Sequence, residues 1–325
     1  MPSQHRIALH RIPELDCHLP ETAAYVRGVL SGLHCRVFSP WESAVCAYFD
    51  YGQPETVAFR SDMDALPICE TTGLPFASQH PGKMHACGHD GHMAIVLALA
   101  EYLSRVKIRQ ARNVLLIFEP AEETTGGAKH ICETGILEEY HVTRIYGLHL
   151  WPELEKGVVA APPGGQMARS CELTVEVEGR SAHIAHWQEG RDALAAGLHF
   201  VADAYALAEG KTCVLRFGRM ESGSARNAVS DRTRLEGTLR CFDEALFAEL
   251  WQRLEALARR VGEETGCAVR LTRSEGYPPV TNNPALLTEA KTRFPIAEAA
   301  PSYTTEDFSE FQRRVPGVFF FLGTG

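Results

Sequence analysis

The stretch RNVLLIFEPAEE (residues 112–123) sets an apolar run, Val114 to Phe118, directly before Glu119, Glu122 and Glu123. A short apolar run bounded by turn residues reads as a strand buried on both faces, and such strands belong to parallel sheets covered by helices. The layout recurs twice. VAFRSDMDALP (residues 57–67) begins apolar at Val57 and turns polar from Arg60 to Asp64, and TRIYGLHLW (residues 143–151) ends near His149. Between the first two strands lies MHACGHDGHMAIVLALAEYL (residues 84–103), in which Ile95, Val96, Leu99, Ala100 and Leu103 recur at helical spacing. That periodicity predicts a core helix from His92 to Val106, with the polar cluster in its approach and first turn. Glu21 to Leu30 also fits a helix. Strands alternating with helices form a largely parallel α/β sheet, and ligands of such sheets bind beyond the carboxyl ends of the strands. Three strand ends therefore deliver acids and a histidine to one rim.

The pattern changes after APPGGQ (residues 161–166). CELTVEVEG (171–179) alternates, a helix follows from about Arg191 to Leu207, TCVLRFGRME (212–221) and TRLEGTLRCF (233–242) read as strands, Asp243 to Glu264 as a helix, and CAVRLTRSEG (267–276) as a strand. The order β-α-β-β-α-β is that of a ferredoxin-like α+β unit. YPPVTNNP (277–284) marks the return, and VPGVFFFLGTG (315–325) supplies a last strand to the first domain. The expected division is a catalytic domain of residues 1–167 and 277–325 with residues 168–276 inserted.

The 325 residues carry a formal charge of −9. An acidic chain offers no broad basic surface to displace the counterions of a phosphate backbone, so nucleic acid is excluded as a partner and a small molecule is expected. The N-terminus has no apolar signal segment, and no run reaches the ~18 apolar residues of a membrane span, so the expectation is a cytoplasmic protein without a membrane partner. Ten cysteines are scattered without CxxC pairs and read as reduced and mostly buried.

Cys87 and His89, two apart on a glycine-containing loop, can both reach one ion, and thiolate with imidazole suits Zn²⁺ and similar divalent metals. The same pair can also be a buried thiol and a helix-capping histidine. Glu122 and Glu123 follow a buried strand and diverge, so that one can ligate metal while its neighbour holds a water; adjacent acids are otherwise ordinary loop charges. His149 completes a mixed sulfur, nitrogen and oxygen set for one or two ions, or it is a hydrogen-bonded structural residue. Asp62 and Asp64 flank Met63, and either can orient a ligating imidazole or serve as a cap or ion-pair partner. In the inserted domain GRSAHIAH (179–186) places His183 and His186 near a turn, and SARNAVSD (224–231) places Asn227 in a loop. YTTEDFSEF (303–311) reads as a helix start capped by Thr305, its acids favouring the helix dipole.

Taken in order, FRSDMDALPI, MHACGHDGHMA, EPAEETTGGA, GLHLWP, GRSAHIA and TEDFSEF resemble the metal-dependent amidohydrolases that include hippurate hydrolase, N-acyl-amino-acid deacylases, N-acetyldiaminopimelate deacetylase and auxin-conjugate hydrolases. The likeness spans nearly the whole chain. It departs from the usual pattern at Ser181 and Ala182, which stand where Gly-Gly normally precedes His183, and at NAVSD (227–231) in place of NVIPD. The resemblance implies a dinuclear-metal catalytic domain and an inserted lid that mediates homodimerisation. It implies Cys87, His89, Glu123 and His149 as ligands of two divalent ions (Zn, Mn, Co or Ni), Glu122 as general base and Asp64 as a catalytic carboxylate. It also implies His183 toward the substrate carbonyl oxygen and Asn227 toward the substrate carboxylate. The implied reaction is hydrolysis of the amide bond of an N-acyl amino acid by a metal-activated water. The family carries a further ligand histidine soon after the FLGTG-like strand. This sequence has no histidine after His199 and ends at Gly325, so the expectation is a chain truncated there, or a natural homologue with one metal position under-coordinated. Two other readings remain open on these residues: a thiol hydrolase using Cys87, and a non-catalytic metal- or ligand-binding homologue.

Overall fold

The computed structural model describes residues 2–106 and 111–325. These residues form two compact units. The first runs through Gln166 and resumes over Val280–Pro301 and Glu306–Gly325; the second is Met167–Pro279 with Ser302–Thr305. Strands β1 (Arg36–Phe38), β2 (Val45–Phe49), β3 (Thr56–Asp62), β4 (Asn113–Glu119), β5 (Val142–Trp151), β6 (Val159–Ala160) and β7 (Gly164–Met167) come first. They are followed by β8 (Arg169–Glu178), β9 (Cys213–Ser222), β10 (Arg232–Cys241) and β11 (Ala268–Arg273), then by β12 (Val280–Asn282) and β13 (Gly317–Gly323).

In the first unit the sheet order is β1-β2-β4-β3-β5-β13-β6. The centre, β4-β3-β5-β13, is parallel, and the edge pairs β1-β2, β2-β4 and β13-β6 are antiparallel. Every residue of β4 is buried, as a strand covered on both faces requires. On one face Val114, Leu116 and Phe118 pack with Val26 and Leu30 of the Pro20–Ser31 helix and with Leu97, Ala100 and Leu103 of the His89–Arg105 helix. That second helix starts three residues earlier than its apolar periodicity predicts, because Gly88 turns the chain at φ 88° and His89 is already helical. A further helix, Pro2–His10, packs on it; too few of its residues are apolar to announce it in the sequence. The chain passes from β3 to neighbouring β4 and then crosses to β5 on the other side of β3, so the strand order reverses at β3, and ligands of such sheets bind at the carboxyl ends beside a reversal of this kind.

In the second unit the sheet order is β11-β8-β10-β9, antiparallel throughout, which is the ferredoxin-like arrangement. Helices Ala193–Ala208 and Glu244–Thr265 are N-capped by the Asp192 and Asp243 carboxylates. They cover one face with a core that includes Val175, Phe200, Leu235, Leu239 and Leu254. The opposite face carries Arg219–Glu236 and Arg234–Glu176 ion pairs, so the alternation read from the sequence separates core from solvent.

One local expectation is overturned. Thr305 caps no helix: the helix there is Phe308–Gln312, and Asp307 at its cap position makes no side-chain cap bond. The two acids before this helix are committed elsewhere, as described below.

Phe200 is fully buried at the centre of the second unit's core. Replacing it with Ala removes an aromatic ring and leaves a cavity, at an expected cost of about 3–5 kcal/mol. Urea denaturation followed by circular dichroism should show this loss; a cost below about 1 kcal/mol would mean that the core is not built around this ring.

Candidate metal centre

The parallel register sets Asp62 opposite Glu119 at the ends of β3 and β4, and β5 carries His149 to the same rim. The His89–Arg105 helix begins there too. Gly88 makes that start possible, since its left-handed φ suits glycine and an added Cβ would lie 3.1 Å from the Leu150 side chain.

His89 is the hub. Its Nδ1 lies 2.8 Å from the Asp64 carbonyl oxygen. That oxygen can only accept, so Nδ1 carries the proton and Nε2 presents a lone pair. Facing that lone pair are Glu123 Oε1 and Asp62 Oδ2, each 3.8 Å away. Acceptors facing an acceptor repel one another unless a cation or proton stands between them. Donor atoms of Cys87, His89 and Glu123 all lie within 4.8 Å of one another, close to the about 4.6 Å limit for ligands bound 2.0–2.3 Å from one ion. The donor set therefore fits a divalent metal. Burial, together with the neighbouring imidazoles, lowers His89 to about 3 and His149 to about 4 against the pull of Asp62. Both rings are neutral at ordinary pH, the form that ligates.

Of the four ligands implied by the sequence, three share this cluster. The fourth, His149, stands edge-on to His89 with ring centroids 6.2 Å apart, its Nδ1 2.6 Å from the Leu150 carbonyl oxygen, which leaves Nε2 as its lone-pair nitrogen. His92 is occupied at both nitrogens: Nδ1 lies 2.7 Å from Asp62 Oδ1, and Nε2 accepts from the Leu150 N–H at 2.9 Å. It is thereby fixed as a bridge between β3 and β5. Burial, then Glu123 as hydrogen-bond partner and charge, pushes the Cys87 thiol well above its usual range.

Behind the cluster lies a residue that the strand pattern alone did not single out. Arg60 donates to Glu119 at 2.6 Å, to Asp62 at 2.8 Å and to Asp307 at 2.7 Å, and stands 3.0 Å from Glu306. All five side chains are at most 2% exposed. A charged residue inside an otherwise apolar strand was the available signal. Glu122 has carboxylate oxygens within 4.8 Å of those of Glu306 and Asp307. Burial first, then the negative charges of Glu306, Asp307 and Glu123, raise its proton affinity well above the ordinary carboxyl range. Asp64 accepts from the N–H groups of Glu122 and Glu123, one at each oxygen and both at 3.0 Å; burial raises its carboxyl to about 8 against the pull of those two donors.

In the second unit His183 and Asn227 are both exposed. Their loops meet: the Ile184 N–H donates to the Asn227 carbonyl oxygen at 3.0 Å, and His183 Nδ1 accepts from the Ala185 N–H at 3.2 Å.

The pattern of peptidase family M20/M25/M40 matches residues 58–325. N-acetyldiaminopimelate deacetylase from Streptococcus pneumoniae (strain CGSP14) is 34% identical over 337 residues, covering 98% of this chain and 89% of its own length. The chain belongs to peptidase family M20/M25/M40. The enzyme of the same name from Shouchella clausii (strain KSM-K16) is 35% identical over 331 residues, covering 98% of this chain and 88% of its own. Among solved structures, the YXEP protein of Bacillus subtilis, a dinuclear metal binding peptidase from the M20 family, superposes with a TM-score of 0.88 at 29% identity, covering 99% of this chain and 88% of that one. A Staphylococcus aureus protein superposes at 0.92 with 31% identity, covering 100% and 87%. The activity class is amide hydrolysis, and no helix among the described residues is long and apolar enough to cross a membrane.

At the back of this M20/M25/M40 centre, Asp90 of the ligand-bearing helix meets His10. His10 Nδ1 lies 2.8 Å from Asp90 Oδ2 and its Nε2 3.2 Å from Glu70 Oε1. With a carboxylate at each nitrogen the ring is a two-proton donor; the Asp90 hydrogen bond raises its pKa above 6.5, against burial. A raised folded value places the full stabilisation below the unfolded value near 6.5 and removes it as pH climbs through the folded value, while Asp90 must stay ionised, which holds above about 4. His10→Gln should therefore cost about 1.5–3 kcal/mol near pH 6 and distinctly less at pH 9. Urea midpoints at the two pH values check this, and an equal loss at both would show that His10 is neutral when folded.

Proposed function

We propose that the protein hydrolyses the amide bond of N-acyl amino acids, with Glu122 as the group that moves the proton. The carrying observation is the convergence of Cys87, His89 and Glu123 on one point with the buried carboxyl of Glu122 on the adjacent residue. In this reading Cys87, His89, Glu123 and His149 hold two divalent ions, Zn, Mn, Co or Ni, the mixed donor set leaving the choice to availability. When bound, the ions supply Lewis acidity for the amide carbonyl and for water. Everything else falls to the chain. Glu122, whose surroundings favour taking up a proton, removes one from the attacking water and passes it to the leaving amine, serving as base and then acid. Asp64 holds the Glu122 and Glu123 amides, and His89 is kept in the ligating tautomer by the Asp64 carbonyl. His183 contacts the substrate carbonyl oxygen and Asn227 its carboxylate. The names of the two deacetylase relatives make N-acetyldiaminopimelate the first substrate to assay. A thiol mechanism is disfavoured, because burial and then Glu123 push the Cys87 thiol up, whereas a catalytic cysteine sits where its thiolate is favoured without a metal.

Homodimerisation through the second unit is part of the same reading. The Ala193–Ala208 helix buries Ala196, Phe200 and Ala204 but leaves Leu194 and Leu198 at 42% and 54% exposure. Met220, on edge strand β9, is exposed as well. Apolar side chains beside an open strand edge suit a second copy.

Glu122→Gln keeps the shape of the side chain and removes its basicity. With Mn²⁺, Co²⁺, Ni²⁺ or Zn²⁺ loaded and metal content matched, its kcat should fall by about 10²–10⁴-fold. Unchanged turnover would reject Glu122 as the base.

A further inference from the structure

We propose that Asp307 is a positioning residue for the hydrolysis, fixing the segment Glu119 to Ala128 that carries Glu122 and Glu123; the inference rests on the assignment of those two residues above. This segment is conformationally demanding. Ala121 has φ 65° and Gly126 φ 79°, and a Cβ on Gly127 would sit 1.9 Å from the Pro120 carbonyl oxygen. A non-glycine residue in the left-handed region persists only where its surroundings over-determine it.

Three anchors do so. At the start, the Glu119 carboxylate accepts from Arg60 at 2.6 Å. In the middle, the two oxygens of Asp64 take the Glu122 and Glu123 N–H groups. At the end, Asp307 Oδ2 accepts from the Ala128 N–H at 3.1 Å while its Oδ1 accepts from Arg60 at 2.7 Å. Asp307 thus ties the far end of the segment to the guanidinium that holds its near end.

The other carboxylates around Arg60 have different partners: Asp62 takes His92, Glu119 belongs to the segment, and Glu306 accepts from the Phe308 N–H. Asp307 also stands at the N-cap of the Phe308–Gln312 helix and makes no cap bond there, although a cap is what an aspartate at that place normally provides. Its acceptors are given instead to Ala128, 179 positions away, and to Arg60, 247 positions away. A core selected for stability alone would do as well with apolar residues of similar volume in place of buried ions, so this diverted carboxylate is better explained by what it places.

Asp307→Asn tests the inference on the full chain. Shape is kept, but the amide oxygen replaces only one of the two carboxylate oxygens that Arg60 and Ala128 use, and the NH2 group at the other place opposes the donor there. Ala128→Pro is the second variant: it removes the donor in the first helical turn, where proline is tolerated, and leaves Asp307 intact. Two readouts are taken on folded protein: kcat and KM with an N-acyl amino acid, and Co²⁺ affinity by competition with a chelator, followed by the cobalt–thiolate absorption. Each variant should lose about 10–100-fold in kcat with KM within about twofold, and about 10–100-fold in Co²⁺ affinity, as partners of ligand-bearing groups do. Values within twofold of the parent protein in both readouts would overturn the proposal. If the parent chain hydrolyses no N-acyl amino acid, the functional reading fails, and the Co²⁺ titration alone decides: a weakened site supports the role of Asp307, an unchanged one ends it.

Discussion

A single guanidinium, Arg60, lies buried among Asp62, Glu119, Glu306 and Asp307, and the chemistry of the rim depends on it. Parallel strands bring acids together at their carboxyl ends, and taking several carboxylates out of water is costly unless each has a partner. Arg60 provides that partner with a planar fork that serves several acceptors at once, which the point charge of a lysine cannot do. Burial works against ionised Asp62, but the His92 N–H and the Arg60 guanidinium hold it well below the usual carboxylate range. Glu119 and Glu306, drawn down by the same guanidinium, are nonetheless pushed well above that range by their burial and by the acids around them. The fold thus keeps an acid-rich interior that raises the proton affinity of its carboxyls, the environment a proton-transferring Glu122 needs.

From Arg60 the order passes outward by directed hydrogen bonds. Asp62 fixes His92, His92 takes the Leu150 N–H beside His149, and the Asp64 carbonyl fixes His89. Each step settles a tautomer, and each settled tautomer leaves a defined lone pair. The His89 Nε2 lone pair, facing two carboxylate oxygens with a thiol nearby, is where the arrangement calls for a cation. Backbone geometry supports this at two glycines: Gly88 turns the chain into the helix, and Gly127 allows the close return past Pro120.

Much of this was legible in the sequence because it is carried by local pattern. Apolar runs ending in acids gave the strands and their functional ends, the switch to alternation after Gln166 gave the ferredoxin-like unit, and the spacing of Cys87 and His89 marked the ligand loop. What escaped reading depends on residues far apart in the chain. Arg60 looks like one charge in an apolar strand until Glu306 and Asp307 are folded against it. The acids of TEDFSEF look like a helix start capped by Thr305, but the helix begins only at Phe308, and long-range bonds to Arg60 and Ala128 take the Asp307 acceptors away from its cap. The Pro2–His10 helix gave little apolar signal because its inward face is partly polar, with His5 and His10 turned to Glu101 and Asp90.

The central claim is that Cys87, His89 and Glu123 meet around a divalent ion. Crystals of the protein grown with Zn²⁺ and measured at the zinc absorption edge test it most directly. The account predicts an anomalous peak about 2.3 Å from Cys87 Sγ and about 2.0–2.2 Å from His89 Nε2 and a Glu123 oxygen. Zinc bound elsewhere, with Cys87 and His89 outside bonding distance of any peak, would contradict it.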